Sequence, residues 1–223
     1  MRKRFEDQLN ELNRMINRMG EYLDEALTLM VKALITRDVE LAQKSINLDL
    51  TIDEMEKEIE TLCLRLLMQQ QPVASDLRVV SSALKIITDM ERIGDHAADI
   101  SENITYMAKD DYTPHIEDML KMADIAIQMV KDSIRAYVQK NLELAQAVLT
   151  QDDKVDDLFL KVKLDLIDKM RKDTIIGEQA IDLMMNAKYL ERIGDHAENI
   201  AEWVEFTITG VHQQANIFQN ARC

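Results

Sequence analysis

The chain contains the seven-residue sequence ERIGDHA at residues 91–97, and the same seven letters return at residues 191–197. An identical word at such a distance indicates an internally duplicated unit. Each copy holds a Glu and an Asp four residues apart, with a Gly between them that weakens a helix by about 1 kcal/mol relative to Ala. The repeat therefore predicts two related halves, and it marks acidic positions that packing alone does not explain.

A second repeated word extends the duplication towards the start of each half. The sequence ELAQ occurs at residues 40–43 and again at residues 143–146, and the same offset aligns Asp49 with Asp152 and Asp53 with Asp156. Each half is therefore expected to be a three-helix unit of about a hundred residues, in which short connections make neighbouring helices antiparallel.

Composition predicts an all-α fold. The 223 residues include only five Gly, two Pro and 4% aromatic side chains, whereas 47% are hydrophobic and 30% are charged. Such a chain is poor in turn and strand formers and rich in helix formers. Apolar residues recur at three- and four-residue steps, which predicts six long antiparallel helices. Their expected ranges are 3–35, 38–70, 74–108, 116–139, 141–171 and 177–209.

Breaks in this pattern divide the chain into two pseudo-symmetric three-helix bundles. Pro72 ends the second helix because Pro cannot lie inside it. The segment 109–114 is the strongest linker candidate, and Gly210 can close the last helix with a left-handed cap. We therefore expect a first bundle at residues 1–110, a second at 115–210 and a C-terminal tail at 211–223.

Net charge and cysteine content limit the partners and the compartment. A net charge of −14 argues against nucleic acid, whose phosphates require clustered Lys and Arg. Cys63 and Cys223 have no metal or redox spacing, which fits a reducing cytoplasm. No signal-peptide pattern opens the chain, and no run of about 18 apolar residues is long enough for direct membrane insertion.

Eight carboxylates are the candidate ligand residues of the two halves. Residues four apart share one face of a helix, so the second and third helices of each half present paired acids. Counted from the turn, Asp53 is level with Glu91 and Asp49 with Asp95, because equal distances from a turn mean equal heights. The same count holds in the second half. The eight residues are Asp49, Asp53, Glu91, Asp95, Asp152, Asp156, Glu191 and Asp195.

Four carboxylates on facing helices predict a metal site. Each one raises the pKa of the others, and a bound cation removes that conflict. The competing interpretation is a solvated acidic surface, which is common in a chain with 41 acidic residues. Four further oxygen-bearing residues could add ligands: Asp99 and Asn199 on the same stripes, and Glu21 and Asp124 from the remaining helix of each half.

Other residues near the motifs have competing roles. Gly94 and Gly194 indicate either close helix contact or access for an ion. His96 and His196 point away from the acidic stripes, so we expect them to form hydrogen bonds between helices or across the interface between the halves. Surface ion pairs are expected for Arg92 and Arg192. The fourteen Met residues are expected chiefly to fill the core.

These motifs resemble the PhoU family, the accessory proteins of phosphate-specific transport systems. The resemblance covers nearly the whole chain and includes PVASDLR at residues 72–78 and both ERIGDHA copies. The family motif, an acidic residue followed four positions later by Asp, falls on the eight carboxylates above. The second half departs from the pattern at residues 174–177, which read TIIG where the first half has PVASDLR.

The resemblance implies two similar bundles whose acidic motifs bind multinuclear iron or zinc clusters, with other divalent ions as alternatives. It also implies a negative regulator of phosphate uptake and of the phosphate-starvation response. Its implied partners are the ATPase subunit of a phosphate ABC transporter and a phosphate sensor histidine kinase. Such a protein is expected in the cytoplasm, held at the inner face of the membrane by its partners, and as a homodimer.

Two other functions compete with a non-enzymatic regulator. A carboxylate-bridged di-iron enzyme or iron-storage bundle needs Glu-x-x-His motifs, and none of the four His residues follows a Glu at that spacing. A purely structural bundle would leave the acidic clusters empty. No nucleotide-binding loop and no nucleophile–base pair is recognisable, so we expect that the protein is not an enzyme.

Overall fold

The computed structural model describes residues 2–70, 74–108, 116–172 and 177–211. Within these ranges all regular structure is α-helical, which confirms the predicted all-α class. Pro72, the linker at 109–114, the turn at 173–174 and all of the tail except Val211 lie outside the described residues. The helices are α1 (Arg2–Thr36), α2 (Val39–Gln70), α3 (Ala74–Met107), α4 (Glu117–Gln139), α5 (Leu142–Leu149), α6 (Asp152–Lys172) and α7 (Gly177–Thr209).

The helix expected at 141–171 is interrupted, whereas the other five expected helices agree closely with α1–α4 and α7. The interruption lies at Thr150 and Gln151, where the Gln151 N–H donates to the Val148 carbonyl at 2.9 Å and closes α5. α6 then begins with Asp152 and Asp153, whose negative charges favour a helix N-terminus. The equivalent stretch of the first half continues through α2 without a break.

The turn between the first two helices has the same design in both halves. Arg37 (φ 56°) and Lys140 (φ 52°) are in the left-handed conformation. The following residue caps the next helix: Asp38 accepts a hydrogen bond from the Glu40 N–H at 2.8 Å, and Asn141 accepts one from Leu144. The duplication therefore extends to backbone detail outside the repeated words.

The two halves share one continuous apolar core. α1, α2 and α3 pack together in the first half, α4 to α7 pack together in the second, and the halves meet along α3 with α7 and α1 with α4. Gly20 lets α1 approach α4 closely, since a Cβ there would lie 3.1 Å from Ile134. Several Met side chains are buried in this core, as expected: Met19, Met30, Met55, Met90, Met119, Met122 and Met129.

The acidic motifs lie on the α2–α3 hairpin of the first half and the α6–α7 hairpin of the second. The expected left-handed cap at the end of α7 is present at Gly210 (φ 75°), whose N–H donates to the Phe206 carbonyl at 2.8 Å. Across the described ranges, we find no helix with the length and apolar character needed to cross a membrane.

Candidate metal centres

The first acidic cluster lies between α2 and α3. One carboxylate oxygen from each of Asp49, Asp53 and Asp95 lies within 4.8 Å of the others. The first two residues are one helical turn apart on α2, and the third is the Asp of the first ERIGDHA copy on α3. All three side chains are half-buried. Counting from the turn correctly anticipates that Asp49 faces the part of α3 that carries Asp95.

Gly94 makes room for this cluster. A Cβ on Gly94 would lie 2.9 Å from Oδ1 of Asp49 and 3.2 Å from Ile52. The close-contact interpretation of the repeated Gly is therefore confirmed, and the contact between α2 and α3 occurs at the carboxylate itself. Access for an ion stays a prediction. A larger residue would push the Asp49 side chain out of its present position.

Burial and the crowding of negative charge together favour protonation in the first cluster. Burial is the main cause that raises the pKa of Asp49 to about 6, and the charges of Asp95 and Asp53 add to it. Burial also raises the pKa of Glu91, again with contributions from Asp95 and Asp53. Arg92 offsets part of this charge through contacts to Glu91 at 3.3 Å and Asp95 at 2.8 Å. That contact confirms the ion-pairing role expected of Arg92.

The second cluster repeats this geometry between α6 and α7. Oxygens of Asp152, Asp156 and Asp195 again lie within 4.8 Å of one another. A Cβ on Gly194 would lie 3.2 Å from Oδ1 of Asp152. Burial, followed by the charges of Asp195 and Asp156, raises the pKa of Asp152 to about 6. Asp152 therefore has surroundings like those of Asp49, whereas Asp156 is exposed and its counterpart Asp53 is half-buried.

The two motif Glu residues lie at the margin of their clusters. Glu91 contacts Arg92, and Glu191 contacts Lys188 one turn earlier on α7. Each is close enough to influence the cluster, because Glu91 helps to raise the pKa of Asp49 and Glu191 helps to raise that of Asp156. The structure therefore brings three Asp of each predicted set of four together and leaves the Glu beside them.

The four additional ligand candidates have different positions. Asp99 lies near the first cluster, since its charge helps to raise the pKa of Asp49. Asn199 instead turns to the interface between the halves, where its amide donates to Asp89 at 3.3 Å. Glu21 lines a separate groove between α1 and α4 and accepts a hydrogen bond from Asn17. Asp124 is exposed on α4 and belongs to neither three-Asp cluster.

The histidines lie at the interface between the halves. Nδ1 of His196 lies 2.8 Å from Oδ1 of Asp89, which joins α7 to α3. The ring of His96 stacks on Tyr189 with centroids 5.5 Å apart and lies 3.5 Å from Asp99. The predicted contact across the interface is confirmed for His196 by a hydrogen bond, whereas His96 makes its contact through ring stacking.

The motif search missed one carboxylate beside the second cluster. Glu198 on α7 is half-buried, and its pKa is raised to about 7 by burial and then by the charge of Asp152. A detectable signal was present, because residues seven apart on a helix share a face and Glu198 follows Glu191 at that spacing. Its counterpart in the first half, by the offset of the ERIGDHA words, is Ala98.

Metal ions fit the chemistry of both clusters. Oδ1 atoms of Asp49, Asp53 and Asp152 are buried and receive no hydrogen bond from any described residue. Buried oxygens without donors are costly, and several carboxylates together are the donor set that hard and borderline cations prefer. The assignment of the eight carboxylates as metal ligands stays a prediction.

Comparison with known proteins identifies the same unit twice in this chain. The model of the PhoU domain matches residues 16–104 and again residues 119–204. A relative from Clostridium acetobutylicum, named phosphate-specific transport system accessory protein PhoU homolog, is 38% identical over 216 residues. That match covers 96% of this chain and 99% of the relative. The two domain matches support the duplication, and the relative supports the resemblance inferred from the motifs.

Solved structures agree with these matches. The crystal structure of PhoU from Pseudomonas aeruginosa superposes with a TM-score of 0.91 at 30% identity, covering 93% of this chain and all of that one. The phosphate transport system regulatory protein PhoU from Streptococcus pneumoniae has a TM-score of 0.87 at 27% identity, covering 93% and 98% of the two chains. This chain therefore belongs to the PhoU family, whose members are accessory and regulatory proteins rather than enzymes.

Proposed function

We propose that this protein is a metal-binding regulator of phosphate uptake that works by contact with other proteins. The observation that carries the proposal is the repeated cluster, in which Asp49, Asp53 and Asp95 of one half match Asp152, Asp156 and Asp195 of the other. A function in phosphate transport is supported by the names of the similar proteins from Clostridium acetobutylicum and Streptococcus pneumoniae.

In this proposal the bound cations stabilise two acidic clusters by reducing the repulsion between the carboxylates within each cluster. Each cluster would hold a multinuclear iron or zinc centre, or another divalent ion, through the three Asp, with Glu91 or Glu191 completing the set. When bound, the cations neutralise the carboxylates and make each hairpin surface rigid. The surface of each hairpin would then depend on metal occupancy, which gives the regulator a defined shape for its partners.

The proposed partners are the ATPase subunit of a phosphate ABC transporter and a phosphate sensor histidine kinase. The protein would link the two in the cytoplasm, at the inner face of the membrane, and damp the phosphate-starvation response when phosphate is plentiful. We also propose a homodimer as the working form. A di-iron enzyme is not proposed, because membership of a regulatory family and the interface position of His96 and His196 both oppose it.

Pull-down experiments from membranes test this proposal. The full-length chain and its Asp49→Ala/Asp53→Ala variant serve as bait on membranes from phosphate-rich and phosphate-starved cells, with metal counted in every fraction. Exposed Glu178 on α7 supplies the control variant Glu178→Ala. The proposal predicts that the double variant keeps its helicity, has a lower metal content and captures less transporter. Unchanged metal content would remove the two residues from the site, and unchanged capture would separate metal from partner binding.

A further inference from the structure

The second cluster has a neighbouring carboxylate that lies outside the repeated motif. Glu198 follows Glu191 by seven residues and Gly194 by four, so it lies within about 40° of both around α7. Gly194 faces Asp152 on α6, and Glu198 therefore lies on the side of α7 that turns towards α6. The first half has Ala98 at the matching position, so this carboxylate belongs to the second half only.

The surroundings of Glu198 are negatively charged. After burial, the groups that raise its pKa are Asp152, Glu202, Asp195 and Asp156. Glu198 makes no hydrogen bond or ion pair with any residue that the structure describes. A half-buried carboxylate without a partner, beside three others, is in a position that a cation would relieve.

The backbone opposite Glu198 also differs between the halves. Counted about the same turn that sets Asp156 level with Glu191, Glu198 is level with Leu149, the last residue of α5. The helix is interrupted immediately afterwards, at Thr150 and Gln151, before α6 begins. In the first half the corresponding stretch of α2 is continuous, and the same count sets it level with Ala98.

The first cluster has its own additional acid on a different flank. Asp99 contributes charge to Asp49, but it also lies 3.5 Å from His96. The matching residue in the second half is Asn199, whose amide binds Asp89 across the interface. The extra carboxylate therefore lies at position 99 in the first half and at position 198 in the second.

We propose that Glu198 is an additional metal-ligating carboxylate of the second cluster, so that the two clusters bind divalent cations with different affinities. This inference rests on the proposed metal binding of the Asp clusters. With Glu198 added, the second cluster has a further carboxylate on the side of the α5–α6 break, where the first half has only the methyl group of Ala98. The second cluster would therefore extend beyond the start of α6, towards the end of α5.

Titration of the metal-free, full-length chain with Zn²⁺ tests the proposal by calorimetry at neutral pH. Asp49→Asn/Asp53→Asn removes the first cluster and isolates the second, and Asp152→Asn/Asp156→Asn does the reverse. Glu198→Gln is then added to each background. We expect Zn²⁺ binding by the second cluster to weaken about tenfold or more, which corresponds to loss of one charged ligand. Binding by the first cluster should stay unchanged.

A matched control, with helicity measured for every variant, distinguishes the possible outcomes of the Zn²⁺ titrations. Glu178→Gln removes an exposed charge from the first turn of the same helix and should leave both affinities unchanged. An unchanged Zn²⁺ affinity of the second cluster in Glu198→Gln overturns the inference and leaves the proposed function intact. Equal weakening in both backgrounds also overturns it, because the effect is then on the whole bundle. If all four Asp→Asn changes together fail to reduce Zn²⁺ binding, the proposed function itself is wrong.

Discussion

Oδ1 of Asp49 on α2 lies 2.9 Å from the point where a Cβ on Gly94 of α3 would stand, and its equivalent, Asp152, lies 3.2 Å from that point on Gly194. Each Gly thus allows a half-buried carboxylate to rest directly against the opposite helix. The repeated ERIGDHA word preserves both the acids and the space they need.

Gly94→Ala is expected to weaken metal binding without unfolding the protein. The new methyl group would displace the end of the Asp49 side chain, which can rotate, while Ala gains about 1 kcal/mol of helix propensity over Gly. Metal-free thermal stability should therefore change little, whereas Zn²⁺ affinity of the first cluster should fall about tenfold. Calorimetry on both forms checks this, with Gly194→Ala as the milder comparison. An unchanged affinity would show that Asp49 does not need its present position.

The metal-free protein should lose stability as pH rises from about 4 to about 6. In the folded protein the pKa of Asp49 and of Asp152 is raised to about 6 from the ordinary 3.8, so folding favours the protonated carboxyl. The loss begins above the unfolded pKa and is complete above the folded one. Both groups are half-exposed, so each contributes about 1–2 kcal/mol after allowance for solvent screening.

Urea unfolding across this pH range measures the effect. The Asp49→Asn/Asp152→Asn variant keeps the side-chain shape but cannot ionise, so its stability should exceed that of the unmodified protein above pH 6 by about 2–4 kcal/mol. The two proteins should converge near pH 4. Parallel pH profiles would mean that neither carboxyl has the raised pKa described above.

Metal removal should lower the melting temperature of the native protein. A ligand that binds only the folded state stabilises it by about 2.7 kcal/mol at a concentration one hundred times its dissociation constant. Addition of Zn²⁺ to metal-free protein should therefore raise the melting temperature by several degrees, and a chelator should reverse the rise. The variant with Asn at positions 49, 53, 152 and 156 should show no rise. Equal stabilisation of this variant would place the ions elsewhere.

Asp89→Ala should destabilise the contact between the two halves. Asp89 is mostly buried on α3 and binds both His196 and Asn199 of α7 through Oδ1. Its removal leaves two polar side chains without their partner, which costs about 2 kcal/mol of unfolding free energy. Denaturant unfolding measures the loss, and exposed Lys85 on the same helix provides the control Lys85→Ala. Equal unfolding free energies for the two variants would show that the Asp89 contacts do not stabilise the interface between the halves.

Helix periodicity and chain duplication determine most of the fold and the level of each acidic residue. In two antiparallel helices joined by a short turn, residues equally far from the turn lie at the same height. The sequence alone therefore predicts that Asp49 on α2 lies near Asp95 on α3. The break before Asp152 was not anticipated, although two acids at a new helix start are a known signal. Apolar periodicity continues across Thr150 and Gln151 and conceals it.

Contacts between halves and charges outside the motif are harder to anticipate. Asp89 and Tyr189 occupy matching positions, yet one binds His196 and the other stacks on His96. Only the arrangement of α3 against α7 shows that these faces meet. Glu198 is not predicted from the repeated motifs, because the two halves differ at that position. A comparison of the halves identifies only the residues that they share.

Anomalous X-ray scattering from crystals of the metal-loaded protein tests the central claim most directly. Data collected on both sides of the iron and zinc absorption edges locate each ion without reference to activity. We predict peaks within coordination distance of Asp49, Asp53 and Asp95, and a second group beside Asp152, Asp156 and Asp195. Fully loaded crystals whose peaks lie away from both Asp clusters would contradict the claim.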